Sequence, residues 1–479
     1  MPRWKLLILW GPLFLAGALL LATNGCSGVS GNSHITPPGK IEHVVIIFQE
    51  NRTPDNLFHD SVLMARGADI ATTGMNSKGQ TITLQPTTLV TDYDLSHAHE
   101  AFLKMYDNGK MDGADLIAQD CSPGATDCPR PNIQFQYVQA SDVQPYFKLA
   151  ETYTFGDRMF QTNQGPSFDA HQYIIAGTSA PTETSKLLAA ENPPNVYGDN
   201  TGCSSPAADY VYMIDSTNMN PSTNETQKMY PCFEHNTLID LLDAQKVSWR
   251  YYSNAAACNP PNAPCPTGIW VGPNAIQHLC VPDATPPNGT ACTGSEWLSN
   301  VVPDTQVLTD ISSGQLPSVS WVIPDGKESD HALLDTGGGP SWVASIVNAI
   351  GNSPYWNNTA IIITWDDWGG WYDHVAPSVR NSYEYGFRVP LIVVSPYAKA
   401  AYISHQAHDF GSILKFVENV FGLPSIDTQA GGYADSRADD LSDCFDFNQS
   451  PLTFTTIPSK YDANYFLNDK RPPVDPDDD

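Results

Sequence analysis

Acidic and amide side chains follow two apolar runs of the sequence, at residues 44–48 and 360–365. These side chains are Glu50, Asn51, Asp366 and Asp367. If both runs are strands of an open α/β sheet, their carboxyl ends lie where such sheets bind ligands. Carboxylates that converge there repel one another unless a cation neutralises them, and a set of oxygen ligands suits a hard divalent ion. We therefore predict a site for one divalent metal ion. The alternative is that these residues are ordinary polar turn residues.

Neighbouring residues of a strand point to opposite faces of the sheet, so Asp366 and Asp367 can share an ion only if the strand has ended before them. Gly369 and Gly370 follow closely, and two consecutive glycines favour a turn at this point. The sequence therefore predicts that the strand ends at about residue 365.

Ser167 is a candidate nucleophile. It follows Gly165 and Pro166 at the start of a predicted helix that ends at Gly177, and proline suits the first turn of a helix. The free N–H groups and the positive end of the helix dipole would attract a phosphate and favour a serine alkoxide. The alternative is that Ser167 only caps the helix.

Several histidines lie in polar surroundings, and some of them could hold phosphate oxygens or deliver a proton to a leaving group. They are His97, His99, His278, His331 and His374. A single histidine of this kind is also common as a structural residue, so we expect only part of this set to act in a reaction.

The elements that must position these groups follow from the apolar pattern. The runs at 44–48, 360–365 and 390–394 are short and continuous, which is typical of strands buried on both faces. Amphipathic helices are predicted at 238–247, 342–350 and 410–420, and a further strand at 248–252. Alternating strands and helices predict an α/β fold, with a mostly parallel sheet between two helical layers. Residues from about 185 to 300 are rich in Asn, Pro, Thr and Cys and are interpreted as an inserted lid.

The ends of the chain indicate export. Residues 1–25 contain basic residues, an apolar run and no acidic residue, which is typical of a cleaved signal peptide. Cys26 follows small residues, so it is a candidate for lipidation and membrane attachment. We expect a linker at 26–40, a catalytic domain at 41–460 and an acidic tail at 461–479. The formal charge of −28 argues against a nucleic acid as partner.

Eight further cysteines fall into successive pairs along the chain, which favours disulfides within loops of an exported protein. The pairs are Cys121/Cys128, Cys203/Cys232, Cys258/Cys265 and Cys280/Cys292, and Cys444 is left over. The connectivity does not follow from the sequence. A structural zinc site is the less favoured alternative, because no pair has the two-residue spacing of a zinc knuckle.

Five motifs of the sequence resemble those of the bacterial phosphoesterase family, which includes non-specific phospholipases C and acid phosphatases. They are ENRT at 50–53, NGKMDG at 108–113, GPS at 165–167, SVSWVIP at 318–324 and TWDDWGGWYDH at 364–374. The resemblance runs in order from about residue 41 to about residue 455. It implies an alkaline-phosphatase-like three-layer α/β/α sandwich.

By this resemblance, Glu50, Asn51, Asp366 and Asp367 would hold the metal together with Ser167, which would form a phosphoserine intermediate. His97, His278 and His331 look similar to the histidines that line the phosphate pocket in the family, and His331 is the first choice for protonating the leaving alcohol. The chain departs from relatives at Asp169 and Ala170 beside the nucleophile and at Ala332 after His331.

The resemblance implies an exported hydrolase of phosphate esters, in the periplasm, the cell envelope or outside the cell. Whether it acts on lipid diesters or on soluble monoesters stays open. A lipid-active enzyme would expose apolar side chains at its mouth, for which Trp270, Trp297 and Tyr251 are candidates. The alternative function is a secreted binding or adhesion protein that keeps the fold without turnover. The oligomeric state does not follow from the sequence.

Overall fold

The computed structural model describes residues 39–194, 201–220, 225–253, 268–333, 336–427, 432–471 and 474. The predicted signal peptide, Cys26, most of the linker, the Cys258/Cys265 pair and the end of the acidic tail lie outside the described residues. The described residues form one compact unit.

The strands and helices follow one another along the whole described chain. The strands are β1 (His43–Gln49), β2 (Thr73–Met75), β3 (Thr81–Thr83), β4 (Gln85–Thr87), β5 (Tyr93–Leu95), β6 (Gln119–Cys121), β7 (Gln136–Val138), β8 (Thr154–Gly156), β9 (Met159–Phe160), β10 (Leu187–Ala189), β11 (Val211–Asp215), β12 (Glu225–Met229), β13 (Trp249–Tyr252), β14 (Val301–Val302), β15 (Val319–Val322), β16 (Thr359–Trp365), β17 (Leu391–Val394), β18 (Tyr402–Ser404) and β19 (His408–Asp409). The helices are α1 (Pro54–Leu57), α2 (Ser61–Ala65), α3 (His99–Tyr106), α4 (Ala140–Thr152), α5 (Ser167–Ala176), α6 (Leu238–Gln245), α7 (Gln277–Cys280), α8 (Ser295–Asn300), α9 (Gln306–Ser313), α10 (Gly339–Gly351), α11 (Phe410–Phe421), α12 (Ala434–Arg437) and α13 (Ala463–Asn468).

The central sheet has eight strands in the order β14-β13-β15-β1-β16-β17-β8-β18. β1 lies in the middle and pairs in parallel with both β15 and β16. β17 runs antiparallel to its neighbours β16 and β8. The predicted mostly parallel sheet is therefore confirmed, and the three apolar runs form the adjacent strands β1, β16 and β17.

Helices cover both faces of this sheet. Phe48 of β1 is in register with Thr364 of β16, so these two side chains lie on the same face of the sheet. Trp365 follows Thr364 on β16, so its side chain points to the opposite face. The ring of Phe48 packs against His171 of α5, and Trp365 packs against Tyr146 of α4. The two contacts lie in different helical layers, which confirms the predicted three-layer sandwich.

The helix boundaries follow local signals in the sequence. α5 ends at Gly177, which has a φ of 71° and so adopts the left-handed conformation that ends many helices. α11 begins after Asp409, whose side chain accepts the N–H of Ser412, and ends at Gly422 with a φ of 65°. None of the helices in the described part of the chain has the length and apolarity needed to cross a bilayer.

Disulfides join cysteines that follow one another along the chain, as expected from their spacing. Disulfides join Cys121 to Cys128, Cys203 to Cys232, and Cys280 to Cys292, while Cys444 is free and buried. One expectation for the segment from about 185 to 300 is wrong. β13, placed by the sequence analysis in an inserted lid, pairs with β15 inside the central sheet, because its buried aromatic residues complete the core.

Candidate active site

The predicted acidic residues meet at the carboxyl ends of β1 and β16, which are neighbours in the sheet. The N–H of Asn51 donates to Oδ1 of Asp366 over 2.9 Å. Glu50, Asn51, Asp366 and Asp367 are all fully buried. β16 ends at Trp365, so the two aspartates lie beyond the alternation of the strand, as the sequence predicted.

The turn after β16 depends on Gly369, whose φ is +60°. A Cβ at this position would lie 2.3 Å from the carbonyl oxygen of Asn51, far inside van der Waals contact. Asn51 also has a positive φ, 62°, in a region that residues other than glycine seldom adopt. The N–H of Gly369 donates to Oδ1 of Asp367 over 2.7 Å. The turn thus holds Asp367 close to Asn51. Strained backbone conformations such as that of Asn51 are concentrated at functional sites.

Ser167 is the first residue of α5, and its hydroxyl points to these acids. Its Oγ donates to Oδ2 of Asp367 over 3.4 Å. Pro166 occupies the cap position, and the side chain of Asn192 accepts the N–H of Phe168 over 2.9 Å. Ser167 therefore does not serve as a helix cap, which was the alternative interpretation of this residue.

His171 lies one turn after Ser167 on α5 and joins the site, although the sequence analysis did not include it. Its Nε2 is 3.2 Å from Oε1 of Glu50, and its Nδ1 is 3.3 Å from the hydroxyl oxygen of Tyr251. That hydroxyl donates its own proton to the carbonyl of Trp270, so its oxygen can only accept from His171. Nδ1 of His171 therefore carries the proton, and Nε2 presents a lone pair to Glu50.

Burial lowers the pKa of His171 to about 4, so this ring is neutral at neutral pH. The spacing of Ser167 and His171 would have been enough to predict that His171 belongs to the site. Side chains four residues apart lie on the same face of a helix, so a helix that aims Ser167 at the acids also aims His171 at them.

Two of the predicted histidines face the amide of Asn51. Nε2 of His97 and Nε2 of His331 lie 3.0 Å and 2.9 Å from the same terminal atom of that amide. Nδ1 of His97 is 3.0 Å from the carbonyl of Leu95, and Nδ1 of His331 is 2.7 Å from the carbonyl of Ala332. Each Nδ1 donates to its carbonyl, so a neutral ring accepts at Nε2, whereas a protonated ring donates from it. When both rings are neutral, the amide nitrogen of Asn51 faces the histidines and its oxygen faces the acids.

With this assignment, only hydrogen-bond acceptors surround one buried point. Oδ1 of Asn51 lies 3.2 Å from Oε2 of Glu50 and 3.0 Å from Oδ1 of Asp366. The ligand atoms of Glu50, His171 and Asp366 lie within 4.8 Å of one another, and Oδ2 of Asp366 is buried without a hydrogen-bond partner. Buried acceptors of this kind are costly unless a proton or a cation lies between them, so the residues fit a divalent ion.

The electrostatics of Glu50 agree with this geometry. Burial, followed by the charges of Asp366 and Asp367, raises the pKa of Glu50 well above its ordinary value. A bound cation acts in the opposite direction because it favours the charged carboxylates. The site would then hold all three carboxylates in their ionised form at neutral pH.

The loop that carries His331 is anchored through the residue before it. The hydroxyl of Tyr146 donates to Oδ2 of Asp330 over 2.8 Å, and the indole N–H of Trp365 donates to the same oxygen over 3.0 Å. Nε of Arg52, next to Asn51, donates to the carbonyl of Asp330 over 2.8 Å. The loop is therefore tied to the ends of both β16 and β1.

The prediction for His278 is wrong. His278 lies on α7 with its Nδ1 2.9 Å from Oε1 of Glu234 and its Nε2 3.0 Å from Oδ1 of Asp240. Carboxylates outside the site thus occupy both ring nitrogens. Burial alone would lower the pKa of His278, but Asp240 and Glu234 raise it to about 9. The ring is an ion-pair partner and does not line the phosphate pocket.

A second cluster of possible metal ligands contains Asp55, Asp373 and His374, but an arginine already neutralises it. The buried guanidinium of Arg388 lies 2.9 Å from Oδ2 of Asp373 and 3.2 Å from Oδ1 of Asp55. His374 in turn pairs with Asp55 and with Asp69. This network joins the end of the long motif at 364–374 to the rest of the molecule.

The aromatic residues expected at the mouth do not form an exposed apolar rim. Tyr251 and Trp270 are buried, and Trp297 is half-buried. The ring of Trp270 instead lies 6.0 Å from that of His331, so Trp270 forms part of the wall of the site.

The chain is similar in sequence to known proteins. The sequence model of the Phosphoesterase family matches residues 41–424. Phospholipase C B of Mycobacterium tuberculosis is 24% identical, with 91% of this chain and 82% of that protein covered. The hemolytic phospholipase C of Pseudomonas aeruginosa is 23% identical over 85% of this chain and 56% of that protein. A solved structure described as a protein in the alkaline phosphatase superfamily from Vibrio parahaemolyticus has a TM-score of 0.34 at 11% identity, with 85% of this chain and 71% of that chain covered.

Proposed function

We propose a mechanism and a substrate class for this chain from the premise that it belongs to the Phosphoesterase family and hydrolyses phosphoric ester bonds. In this proposal it is an exported, metal-dependent phosphoesterase, of the phospholipase C or acid phosphatase type. Ser167 is its nucleophile, and a phosphoserine is its intermediate.

One observation carries the proposal. A serine hydroxyl at a helix start points into a buried group of carboxylates, with Oγ of Ser167 3.4 Å from Oδ2 of Asp367. Carboxylates without a cation would be a poor place for a phosphate, because they would repel it. The same carboxylates around a divalent ion provide a place where a phosphate and an alkoxide are both stabilised.

The residues that would hold the ion are those whose acceptors converge. They are Glu50, Asn51, Ser167, Asp366 and Asp367, and the geometry adds His171. When bound, a divalent ion supplies positive charge that favours the alkoxide form of the serine and offsets the charge of the phosphoryl oxygens.

The side chains of the protein supply the other parts of the reaction. Asp367 accepts the hydrogen bond of the Ser167 hydroxyl and takes up its proton as Oγ attacks phosphorus. Attack forms the bond between Oγ and phosphorus and breaks the bond between phosphorus and the leaving oxygen. His331, whose Nδ1 donates to the Ala332 carbonyl, first takes up a proton at Nε2 and then transfers that proton to the leaving oxygen. His97 donates to a phosphoryl oxygen in its protonated form.

Water then hydrolyses the phosphoserine and restores Ser167. A monoester substrate releases inorganic phosphate, whereas a diester releases the phosphomonoester that was transferred to the serine. The complete set of ligands and the nucleophile favour an enzyme over the alternative of a non-catalytic binding protein on the same fold.

Replacing Ser167 by alanine tests the proposal. We expect Ser167→Ala to remove turnover of both a phosphocholine lipid and a soluble aryl phosphate, while the thermal unfolding transition stays close to that of the wild type. Ser216→Ala is the matched control, because Ser216 is only half-buried and its hydroxyl donates to the Lys186 carbonyl. A Ser167→Ala protein that retains a tenth of the wild-type rate would contradict the assignment of the nucleophile.

A further inference from the structure

Gln49 is the last residue of β1 and takes no part in the mechanism above. Its side chain is fully buried, and its amide bonds to the loop that carries His331. Nε2 of Gln49 donates to the carbonyl of Glu328 over 3.2 Å, and Oε1 accepts the backbone N–H of Asp330 over 3.1 Å. One partner is an acceptor and the other a donor, so both ends of the amide are satisfied. Gln49 thus bridges β1 and this loop.

Trp365 holds the same loop from the neighbouring strand. Gln49 of β1 and Trp365 of β16 are in register, so their side chains lie on the same face of the sheet. The indole N–H of Trp365 donates to Oδ2 of Asp330 over 3.0 Å. Asp330 therefore rests on two neighbouring residues of the sheet, with Gln49 at its backbone and Trp365 at its side chain.

These two supporting residues lie directly before the proposed metal ligands. Gln49 precedes Glu50, and Trp365 precedes Asp366. The backbone carbonyl of Gln49 also accepts the N–H of Asp366 over 2.9 Å. On the loop, the residue that follows the bridge is His331. A change in the bridge would therefore move His331 relative to the metal ligands.

Two hydrogen bonds of His331 itself are local to its loop. Its backbone N–H donates to Oγ of Ser329 over 3.2 Å, and its Nδ1 donates to the carbonyl of Ala332 over 2.7 Å. These partners move together with His331, so they orient the ring without fixing where the loop lies against the sheet. The bonds from β1 and β16 fix that position.

We propose that Gln49 is a positioning residue for the proton donor of the reaction, because it holds the loop where Nε2 of His331 reaches the leaving oxygen. This inference rests on the proposed function, in which His331 gives its proton to that oxygen as the bond to phosphorus breaks. Proton transfer needs hydrogen-bond distance between the donor and the leaving oxygen, and a displacement of about 1 Å can lower a rate about a hundredfold. Gln49 acts through His331.

The leaving group distinguishes this role from a merely structural one. A good leaving group such as 4-nitrophenolate departs readily without a proton, whereas phenolate is more basic and gains more from protonation. Displacement of His331 should therefore slow hydrolysis of a phenyl ester more than that of a 4-nitrophenyl ester. Loss of folded protein or of bound metal would slow both.

The test measures kcat/KM for the phenyl and 4-nitrophenyl esters, both as phosphomonoesters and as phosphocholine diesters, so that either substrate class reports their ratio. Gln49→Met keeps the length of the side chain but removes both hydrogen bonds. We expect it to lower the ratio of the phenyl value to the 4-nitrophenyl value by about tenfold. Gln49→Asn, which withdraws the amide by about 1.5 Å, should lower the same ratio and replaces the methionine variant if that variant does not fold.

Gln449→Met is the matched control. Nε2 of Gln449 also donates to two backbone carbonyls, those of Pro396 and Ala398, over 3.1 Å and 2.8 Å. These carbonyls follow β17, which runs antiparallel to β16, so they lie at the edge of the sheet opposite to the site. The ratio should not change in this variant.

His331→Gln separates the inference from the proposed function. We expect this variant to lower the ratio as well, and Gln49→Met to lower it no further in the same protein, because the effects of residues that act through one another do not add. An unchanged ratio in both Gln49 variants, or a further tenfold fall or so in the double variant, would overturn the inference. If His331→Gln alone leaves the ratio unchanged, the proton donor of the proposed function fails, and the inference fails with it.

Discussion

Asn51 determines which way the site is polarised. Its amide lies between two histidines on one side and two carboxylates on the other. When the histidines are neutral, both sides offer only hydrogen-bond acceptors, and the one amide nitrogen can donate to only one side. The histidines are held in one tautomer by the carbonyls of Leu95 and Ala332. While both rings are neutral, the amide nitrogen faces the histidines, and the acceptors on the other side need a cation.

His171 provides a test of this view at a single residue. We expect His171→Gln to weaken metal binding by about tenfold to a hundredfold, because the lone pair of Nε2 that faces Glu50 is lost. The measurement is a competition titration with a chelator of known affinity. His235→Gln is the control, since His235 is also buried and burial lowers its pKa to about 4 as well. Equal affinities in the two variants would remove His171 from the site.

The turn after β16 provides a test among the elements. Gly369→Ala should lower both stability and activity, because a Cβ would collide with the Asn51 carbonyl at 2.3 Å. Gly314→Ala is the control: Gly314 has a φ of +74° but no atom within 4 Å of its added Cβ. Both variants should lose about 1–2 kcal/mol from the left-handed backbone, and Gly369→Ala should lose a further 1–3 kcal/mol or so by overpacking.

Chemical denaturation measures the two free energies of unfolding, and an activity assay measures the effect on the site. Equal losses of stability in the two glycine variants, with normal activity in Gly369→Ala, would show that the turn does not position Asp367.

The network around His374 makes stability depend on pH. Burial alone would lower the pKa of His374, but the hydrogen bond and charge of Asp55 outweigh it and raise the pKa from 6.5 to about 9. The folded state therefore holds this proton more tightly than the unfolded state. The proton on His374 therefore stabilises the folded state by on the order of 3 kcal/mol. This stabilisation is complete below pH 6.5 and is lost as the pH rises through about 9.

The free energy of unfolding, measured from pH 6 to pH 10 or so, tests this expectation. The difference between the wild type and His374→Gln should shrink as the pH rises. His405→Gln is the control, because His405 is 58% exposed in its pair with Asp157 and should contribute little. A difference between wild type and His374→Gln that does not vary with pH would contradict the ion-pair account.

At the scale of the whole molecule, the disulfides restrict long loops. Cys203 and Cys232 are 29 residues apart, whereas Cys121 and Cys128 are 7 residues apart. From loop closure in the unfolded chain, we expect replacement of both Cys203 and Cys232 by alanine to cost about 3.6 kcal/mol, and replacement of the shorter pair about 2.4 kcal/mol. Denaturant titration measures both, and a larger loss for the shorter pair would contradict the expected order.

The sequence predicts much of the fold and part of the site. Features that depend on neighbouring residues can be predicted from it, whereas features that depend on partners far along the chain cannot. The acids lie directly after apolar strands, so a local pattern locates them. The partners of His278 lie 44 and 38 residues away on the chain, at Glu234 and Asp240, and no local pattern reveals them. The position of β13 in the sheet likewise depends on pairing with β15, which is 70 residues further on.

The account as a whole depends on one divalent ion bound among Glu50, Asn51, Asp366 and Asp367. The direct measurement is metal analysis of the chelated protein during addition of divalent ions, with hydrolysis of a soluble aryl phosphate followed in the same samples. We expect activity to be absent in the metal-free protein and to return in proportion to about one bound ion per chain, with no recovery in Asp366→Asn. Full activity in the metal-free wild type would contradict the account.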